Sequence, residues 1–536
     1  MEMDQTNKLP RVAYFCMEYG LHEDFKIYSG GLGILAGDLL KAAKDGGYPM
    51  VGIGILWRQG YTHQIIGRDG TLYDCFPDYR YDFLKDTGVT VQVLIRGRQV
   101  KAKVWECEQY GNVPLYLLDT CLPQQDSCLT GQLYGWFEEE RIAQEMLLGI
   151  GGVRALRKLG IDVDIYHFND SHPLFAGIEL IREQMEGNGL DFDDALEHVR
   201  KHIVFTTHTP VKAGNETHGH DILQYMGAYD GLTYGQMLQI GGSPFSMTAA
   251  GLYLSSRANA VSKLHGETAR KMWAGVPGGS SILSITNGVH NGTWQDPKII
   301  SAYKNGGDIW KVHMELKRAL LEEVFRRNGV RLREDVLTVG FARRAAPYKR
   351  SDLIFYSEKI IGKLLREQKI QIIFSGKAHP NDREGKKIIG NLVNWARKYS
   401  GSVVFLQDYD MKIGKMLTRG CDVWLNNPIR PMEASGTSGM KAAMNGVLNF
   451  SVLDGWWPEA CRHGVNGWQI GGGYTGKNRD ESDAGSLYQV LTEEILPAYR
   501  NRDAWVQMMR ASIEMSSWQF SSARMIKEYY EKLYSR

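Results

Sequence analysis

A basic segment with four cationic side chains follows the apolar run VLTVGF. Its sequence, ARRAAPYKR, places Arg343, Arg344, Lys349 and Arg350 within eight positions. Guanidinium groups bind phosphate through paired hydrogen bonds, so this grouping indicates an anion site. A solvated basic loop is the alternative, and it is the commoner outcome for an arbitrary loop. The position directly after a strand favours the anion site, because α/β sheets bind their ligands there.

A second segment, rich in small residues, follows the apolar run DVWLNN. Residues Ala434 to Gly439 lead into a predicted helix, which would present backbone N–H groups to an anion. The spacing fits neither the GxxxxGK[ST] phosphate loop nor the GxSxG nucleophile elbow. Lys441 lies in the first turn and could bind phosphate, be solvated, or carry a cofactor as a Schiff base. The chemistry of the sequence leaves these three roles open.

The N-terminal half contains further polar loops. SGGLG, residues 29–33, opens a helix and suits either a phosphate or sugar ligand or tight helix packing. NDSHP and THTP follow strands and hold Asp170, His172 and His208. One histidine at a strand end is more often structural than catalytic, but two such loops facing one cleft favour catalysis. TNGVHNGTW, residues 286–294, combines amides with an aromatic side chain, which suits sugar hydroxyls.

The patterns that could bind a metal are incomplete. His218 and His220 in HGH, and the acidic pairs in DVD and DYD, lack the third ligand and the spacing that define a metal site. DxD also occurs in metal-dependent nucleotide-sugar enzymes, but an exposed acidic turn is the favoured interpretation. We therefore predict no metal.

The composition excludes several classes of partner. Lys and Arg total 63 and Asp and Glu total 61, a net charge of +2, so no charge bias favours nucleic acid or a membrane. The N-terminal segment MEMDQTNKLP has no apolar core of a secretory signal. Seven cysteines without a CxxC pair predict reduced thiols in a cytoplasmic protein. Glycine is abundant, with 60 residues, and part of it falls in the loops described above.

The elements that must position these loops alternate regularly in the C-terminal half. VLTVGF, QIIFSG, SVVFLQ and DVWLNN are short apolar strands separated by helical segments, a pattern that predicts βαβ units and a parallel sheet. In the N-terminal half, VAYFCM predicts a strand and residues 138–158 a long helix. We predict an α/β protein with two domains, residues 1–300 and 301–510, on either side of a cleft. A C-terminal helix, 511–536, could cross back to the first domain.

Seven motifs together carry a family resemblance. EASGTSGMKAAMNG, SGGLGILAGD, FNDSHP, THTP, TNGVHNGTW, RRAAPYKR and SGKAHP resemble the α-glucan (glycogen, starch or maltodextrin) phosphorylase family in its short prokaryotic form. They occur in the family's order between about residues 11 and 460. The resemblance implies the glycosyltransferase B fold, in which two Rossmann-like domains face a cleft. It also implies phosphorolysis of terminal α-1,4-linked glucosyl units by inorganic phosphate, with release of α-glucose 1-phosphate and retention of configuration.

The resemblance also implies roles for individual residues. It implies that Lys441 carries pyridoxal 5′-phosphate, whose phosphate exchanges a proton with inorganic phosphate. Residues implied to hold the cofactor are Lys441, Arg343, Thr437, Ser438 and Tyr409. Inorganic phosphate would contact Arg344, Lys349 and the backbone of Gly31, and the His208 loop would stabilise positive charge at the sugar. Residues implied to bind the glucan are Gly31, Leu32, Asp170, Asn287, Glu433, Ser435 and Gly436.

Two other functions remain open on the sequence. A nucleotide-sugar-dependent α-glucan synthase-type glycosyltransferase would share the fold, but it has no need of an imine-forming lysine at position 441. A carbohydrate-binding relative without catalysis would be expected to have lost the basic loop or the lysine motif, and both are present. We expect a glucan or maltooligosaccharide and phosphate as partners, with a homodimer open. We do not expect the nucleotide and phosphorylation control of the long family members.

Overall fold

The computed structural model describes residues 9–123, 128–210, 215–474 and 476–535. Its contacts divide the chain into two compact units. The first unit contains Met1–Tyr61, Phe76–Thr286 and Ser522–Arg536, and the second contains Thr62–Cys75 and Asn287–Ser521. The second unit begins after residue 286, whereas the sequence predicted a domain boundary at 300. The chain returns to the first unit at residue 522, whereas the sequence predicted a boundary at 510. The sequence did not predict that residues 62–75 belong to the second unit.

The first unit is built on a nine-stranded sheet. Seven neighbouring strands run parallel, and at one edge two further strands are added through antiparallel pairing. In spatial order the strands are Leu283–Ser284, Arg257–Ala260, Ile203–Thr206, Ile165–Asn169, Val12–Phe15, Met50–Ile55, Leu115–Asp119, Arg98–Cys107 and Lys85–Ile95. The central strands are buried along their whole length, as continuous apolar runs with helices on both faces require.

Helices and short strands complete the first unit. Its α-helices are Gly31–Asp45, Glu138–Met146, Gly152–Leu159, Phe175–Asn188, Phe192–Arg200, His220–Met226, Tyr234–Gly241, Met247–Leu254, Lys263–Met272 and Ser522–Glu528. A two-residue ladder joins Thr217–His218 to Phe245–Ser246. The helix predicted for residues 138–158 is present, with a π-helical turn at Leu147–Gly151 in its middle.

The second unit contains a six-stranded parallel sheet. Its strands, in spatial order, are Val403–Leu406, Ile370–Ser375, Leu337–Ala342, Val423–Asn426, Leu448–Val452 and Gly467–Ile470. Counted along the chain this order is 3-2-1-4-5-6, the order of dinucleotide-binding α/β folds. A separate hairpin pairs His63–Ile66 with Leu72–Cys75. The predicted α/β class with parallel sheets is confirmed.

Ten α-helices flank these strands in the second unit's described part. They are Asn291–Trp294, Pro297–Lys304, Ile309–Asn328, Glu358–Arg366, Arg383–Lys398, Met411–Gly420, Thr437–Ala443, Arg479–Val490, Leu496–Arg500 and Arg502–Ser517. Within the described ranges, no helix combines the length and apolar character that crossing a bilayer requires.

Cysteine pairing differs from the expectation in one place. Cys121 and Cys128 form a disulfide, so the prediction that all seven cysteines are reduced is wrong for this pair. The other five cysteines are free thiols, and Cys16, Cys107 and Cys421 are buried.

A buried ion pair fixes the strand arrangement of the second unit. The carboxylate of Asp422 lies 2.5 Å from Lys317 Nζ and 2.9 Å from His313 Nε2, and it accepts the backbone N–H of Thr338 at 2.7 Å. All of these side chains are buried. Burial opposes the charge of Asp422, but Lys317 and His313 outweigh it and lower its pKa. The pair therefore links helix Ile309–Asn328 to the start of strand Val423–Asn426.

Replacing Asp422 by alanine should destabilise the second unit. Lys317 would then be a buried charge without its counter-ion, which costs about 3–5 kcal/mol of unfolding free energy. Chemical denaturation followed by tryptophan fluorescence measures the loss. The matched control is Asp335→Ala, which breaks an exposed ion pair with Arg333 and should change stability little. Equal effects of the two variants would show that the buried pair has no special structural role.

Candidate active site

The strand order places two predicted loops at one point of the second unit's sheet. Strands Leu337–Ala342 and Val423–Asn426 are neighbours, and the chain order reverses between them. Ligands of such sheets bind at this reversal, outside the carboxyl ends of the strands. The segment 343–350 leaves the first of these strands, and the segment 427–436 leaves the second.

At this point one carboxylate is shared by two cations. Glu433 Oε2 accepts hydrogen bonds from Arg343 Nη2 at 2.6 Å and from Lys349 Nζ at 2.8 Å, and all three side chains are buried. Burial alone would raise the pKa of Glu433, but the charges of Arg343 and Lys349 outweigh it and lower the pKa to about 2. Two positive charges therefore face one negative charge, and the cluster retains an excess positive charge that favours an anion.

Two buried donors beside this cluster lack partners. Arg343 Nη1 and Ser435 Oγ are buried and have no hydrogen-bond partner among the residues that the structure describes. The backbone at Gly436 lies next to them, since a Cβ built there would be 3.7 Å from Arg343 Nη2. Gly436 has φ +82, a conformation that side chains rarely adopt. Because buried polar groups are normally paired, these donors indicate a place for an oxygen-rich ligand such as a phosphate or a sugar.

A buried aspartate supports the segment that carries Glu433. Asp454 Oδ2 accepts the backbone N–H of Glu433 at 2.9 Å, and the backbone N–H of Trp456 donates to the carbonyl of Ser435 at 3.0 Å. Gly455 allows this close approach, since a Cβ there would lie 2.2 Å from the Ser435 carbonyl oxygen. Burial, and then the charge of Glu433, raise the pKa of Asp454 to about 7. Motif spacing had not identified Asp454 as part of the site.

Lys441 lies on the short helix Thr437–Ala443, which follows this segment. Its Nζ is 3.6 Å from the centre of the Trp294 ring, and the side chain is buried. The Nδ2 group of Asn445 donates to the carbonyls of Trp294 and Lys441 at 3.0 and 2.8 Å and so holds the two segments together. Lys441 is therefore a buried amine beside an aromatic ring, and an amine is the group that forms an imine with a carbonyl compound.

The remaining residues implied for the cofactor lie around this helix. Thr437 is its first residue, and Ser438 Oγ accepts a hydrogen bond from Trp424 Nε1 at 3.1 Å. Burial, and then Asp410, raise the pKa of Tyr409 to about 12, while Arg343 acts in the opposite direction. Tyr409 is therefore a neutral phenol within electrostatic range of Arg343.

The structure separates the other two basic residues of the loop from the Glu433 cluster. Arg344 is exposed and forms no hydrogen bond or ion pair in the described part of the chain. Arg350 instead donates to the carbonyls of Asn427 and Pro428 and pairs with Asp483 at 2.7 Å. Arg350 is therefore a structural residue that holds the 427–436 segment.

Asn287 was expected at the sugar site from the TNG motif. Its side chain is buried, at 4% exposure, and it belongs to the second unit.

In the first unit, a buried glutamate orders the glycine loop. Glu18 accepts hydrogen bonds from the backbone N–H groups of Ser29 and Gly30 at 2.5 and 3.1 Å and from the Tyr134 hydroxyl at 2.7 Å. A Cβ at Gly33 would lie 2.6 Å from Glu18 Oε2, so glycine is required there. Glu18 was not among the predicted site residues, because its contacts are formed by distant parts of the chain.

The predicted ligand loop begins directly after these contacts. Gly31 and Leu32 are the first residues of helix Gly31–Asp45. A Cβ at Gly31 would meet no atom within 4 Å, so the space in front of its backbone is open on the first unit. The backbone N–H groups at the start of a helix are donors that bind anions, and Gly31 occupies such a position.

Asp170 lies at the corresponding reversal of the first unit's sheet, between strands Val12–Phe15 and Ile165–Asn169, and His208 follows the next strand, Ile203–Thr206. Asp170 follows strand Ile165–Asn169 with φ +69, and burial raises its pKa to about 6. His208 contacts Asn169 Oδ1 through Nε2 at 2.6 Å, and burial lowers the pKa of His208 to about 3. His208 is therefore neutral near pH 7, so it adds no repulsion to positive charge that develops at a nearby ligand.

Together these features define a class of protein: an α/β protein with parallel sheets, with a buried cationic cluster that suits an anion at a sheet reversal. Within that class, the chain belongs to the carbohydrate phosphorylase family, a family of enzymes. The family model matches residues 300–462. This match, together with the relatives described next, confirms the resemblance to the α-glucan phosphorylase family.

Relatives that align over nearly the whole of this chain agree with that assignment. Maltodextrin phosphorylase of Thermococcus litoralis is 40% identical, over 98% of this chain and 70% of its own length. Glycogen phosphorylase of Aquifex aeolicus is 36% identical, over 99% of this chain and 87% of its own. An uncharacterized protein of Methanocaldococcus jannaschii is 38% identical, over 97% of this chain and 99% of its own.

Replacing Glu433 by alanine should leave Arg343 and Lys349 without their shared counter-ion. We expect a loss of about 3–5 kcal/mol in unfolding free energy, since both cations stay buried. Added sulfate should raise the thermal midpoint of Glu433→Ala more than that of wild type, because in the variant Arg343 and Lys349 can both bind the added anion. The control is Glu358→Ala, which breaks an exposed contact with Lys398. If sulfate acts equally on all three proteins, the cluster is not an anion site.

Proposed function

We propose that this protein catalyses phosphorolysis of the terminal α-1,4-linked glucosyl unit of a glucan by inorganic phosphate, releasing α-glucose 1-phosphate with retention of configuration. The observation that carries the proposal is the buried cluster of Arg343, Lys349 and Glu433, with unpartnered donors beside it. Relatives named as maltodextrin and glycogen phosphorylases support the choice of glucan and phosphate.

Pyridoxal 5′-phosphate is the cofactor that we propose for the second unit. The residues fit it: Lys441 offers a buried amine, and Arg343 Nη1 is a buried cationic donor without a partner in the described chain. Thr437 and Ser438 would contribute backbone N–H groups to its phosphate, and the Tyr409 phenol would lie nearby. When bound, the cofactor supplies a phosphate that can give and take a proton.

The chain's own residues would hold the second phosphate. Lys349 provides a buried cation, and Arg344 provides a guanidinium that no described protein group occupies. In the first unit, the backbone N–H of Gly31 is placed at an open helix start. Two phosphates at one site repel each other, so several fixed cations and backbone donors are needed to bring them together. This also fits a reaction that requires no pair of catalytic carboxylates.

The sugar would be oriented by hydroxyl-binding groups. In the second unit these are the side chains of Glu433, Ser435 and Asn287 and the backbone of Gly436. Ser435 Oγ is buried and has no hydrogen-bond partner in the described part of the chain. In the first unit they are Leu32 and Asp170, with the His208 loop stabilising positive charge at the sugar. A neutral His208 is consistent with that role, since a charged ring would oppose it.

The setting of the enzyme is also part of the proposal. We propose a cytoplasmic enzyme without nucleic-acid or membrane partners, and we leave its oligomeric state open. The free thiols support a reducing compartment, whereas the Cys121–Cys128 disulfide is a feature that cytosolic proteins seldom retain.

Replacing Lys441 by alanine should abolish the reaction. The purified wild type should absorb as a pyridoxal imine, and Lys441→Ala should lose both that band and the release of glucose 1-phosphate from maltooligosaccharides. Lys412→Ala, at an exposed lysine of the same unit, is the control and should keep both. An unchanged phosphorolysis rate in Lys441→Ala would refute the cofactor role. Transfer from a nucleotide sugar, without phosphorolysis, would support a synthase instead.

Replacing Arg344 by alanine should mainly weaken the use of inorganic phosphate. A charge-assisted contact contributes about 1.5–3 kcal/mol, so KM for phosphate should rise about 10- to 100-fold. Stability should not change, because Arg344 is exposed and has no partner to lose in the described chain. Arg500→Ala, also exposed, is the control, and initial rates over a phosphate series give the comparison. Equal KM values in the two variants would assign the basic loop another task.

A further inference from the structure

A buried cluster of two carboxylates and two histidines in the first unit has no part in the proposed reaction. Glu145, His172 and Glu216 each offer one ligand atom, and these atoms lie within 4.8 Å of one another. His218 lies beside them, with Nε2 3.6 Å from Glu216 Oε1 and 3.9 Å from Glu145 Oε2. Glu145 lies on helix Glu138–Met146 and His172 in the turn after strand Ile165–Asn169. Glu216 directly precedes strand Thr217–His218, and His218 lies within that strand.

Several ligand atoms of this cluster have no hydrogen-bond partner in the described chain, although Arg141 forms an ion pair with the two carboxylates. Glu145 is completely buried, and neither of its carboxyl oxygens has a hydrogen-bond partner in the part of the chain that the structure describes. The same holds for His172 Nδ1 and His218 Nε2, whose residues are 8% and 3% exposed. Native proteins seldom leave so many buried polar atoms unpaired in one place. The cluster therefore indicates a missing partner that is common to all of them.

The second nitrogen of His218 supports a metal as that partner. Its Nδ1 lies 2.9 Å from Glu138 Oε1, which fixes the ring and leaves Nε2 directed at the two carboxylates. A histidine that binds a metal through one ring nitrogen typically donates a hydrogen bond from the other to a carboxylate or a carbonyl group. The Glu138–His218 contact is thus the outer support that such a site needs.

The local charge also suits a cation. Arg141 Nε lies 3.3 Å from both Glu145 Oε1 and Glu216 Oε1, so one positive charge faces two carboxylates. Glu138 adds a third carboxylate at the edge. A divalent ion would balance this excess of negative charge. The alternative to a metal ion is a proton shared between Glu145 and Glu216. It would give one pair of carboxyl oxygens a hydrogen bond, but it would leave His172 Nδ1 and His218 Nε2 without one.

We propose that Glu145, His172, Glu216 and His218 bind one divalent transition-metal ion, with Zn²⁺ as the best match. Two imidazoles and two carboxylates are ligands that tetrahedral Zn²⁺ accepts. Ligand atoms around such an ion lie about 3.4 Å apart. Because those of this cluster lie within 4.8 Å of one another, the cluster must contract by up to about 1.4 Å. The site is structural: it joins helix Glu138–Met146, the turn that holds His172 and the segment 216–218. It is independent of the proposed reaction.

The sequence prediction of no metal was based on motif spacing, and spacing does not reveal this set. HGH alone supplies one usable ligand, and the other three lie up to 73 residues away along the chain. They meet only because helix Glu138–Met146 and the 170–173 turn pack against the strand that carries His218. No spacing rule covers such a set.

Metal content and zinc titration test the proposal on the full chain. The protein is purified without chelator and analysed by mass spectrometry for metals, then stripped with EDTA and titrated with ZnCl₂ by calorimetry, with MgCl₂ as the comparison ion. We expect one zinc per chain, a higher thermal midpoint with zinc, and little response to magnesium. Glu145→Gln should weaken zinc binding at least tenfold, while the control Glu197→Gln, at an exposed helix position, should not.

A second measurement, on the wild type, tests the proposal if Glu145→Gln does not fold. Cobalt(II) added to the stripped wild type should give the visible bands of a four-coordinate ion with nitrogen and oxygen ligands, and zinc should displace them. Absence of stoichiometric zinc or cobalt in the wild type would overturn the proposal in favour of the shared proton. Zinc binding that is equal in wild type and Glu145→Gln would overturn it as well, since the ion would then bind elsewhere.

Discussion

One buried carboxylate shared by two cations underlies the geometry of the second unit. Arg343 and Lys349 follow the strand Leu337–Ala342, whereas Glu433 lies 90 residues beyond Arg343 and 84 beyond Lys349. Their contact brings together the two loops that follow neighbouring strands, and it leaves an excess positive charge in a buried place. Such a charge is costly unless an anion joins it. The stability of the loops and their affinity for an anion therefore have the same physical origin.

The first unit uses a buried carboxylate in a different way. Glu18 accepts hydrogen bonds from the loop before helix Gly31–Asp45, so the backbone of that loop is fixed without any ligand. Gly33 is needed for packing against Glu18, but Gly31 has open space before it. The glycines of one short motif thus divide into a packing residue and a residue available to a ligand. Gly436 differs from Gly31 because its positive φ already requires glycine in the absence of any ligand.

Much of the fold was predictable because its signals are local. The strands Leu337–Ala342, Ile370–Ser375, Val403–Leu406 and Val423–Asn426 coincide with continuous apolar runs, and alternation with helices is sufficient to predict a parallel sheet. The π-helical turn Leu147–Gly151 was not predictable, because a change in backbone hydrogen bonding leaves the helical periodicity almost unchanged. Nor was the grouping of residues 62–75 with the second unit, which depends on contacts hundreds of residues away.

The sequence by itself determined the residue types, their order and their position after strands, and these were enough for the α/β class, the family and a set of candidate residues. Only the tertiary structure decided which side chains share a partner: Glu433 with Arg343 and Lys349, Arg350 with backbone carbonyls, and Arg344 with solvent. It also assembled Glu145, His172, Glu216 and His218. The physical reason is that strand order and helix packing set the distance between remote side chains, and neither is encoded in local spacing.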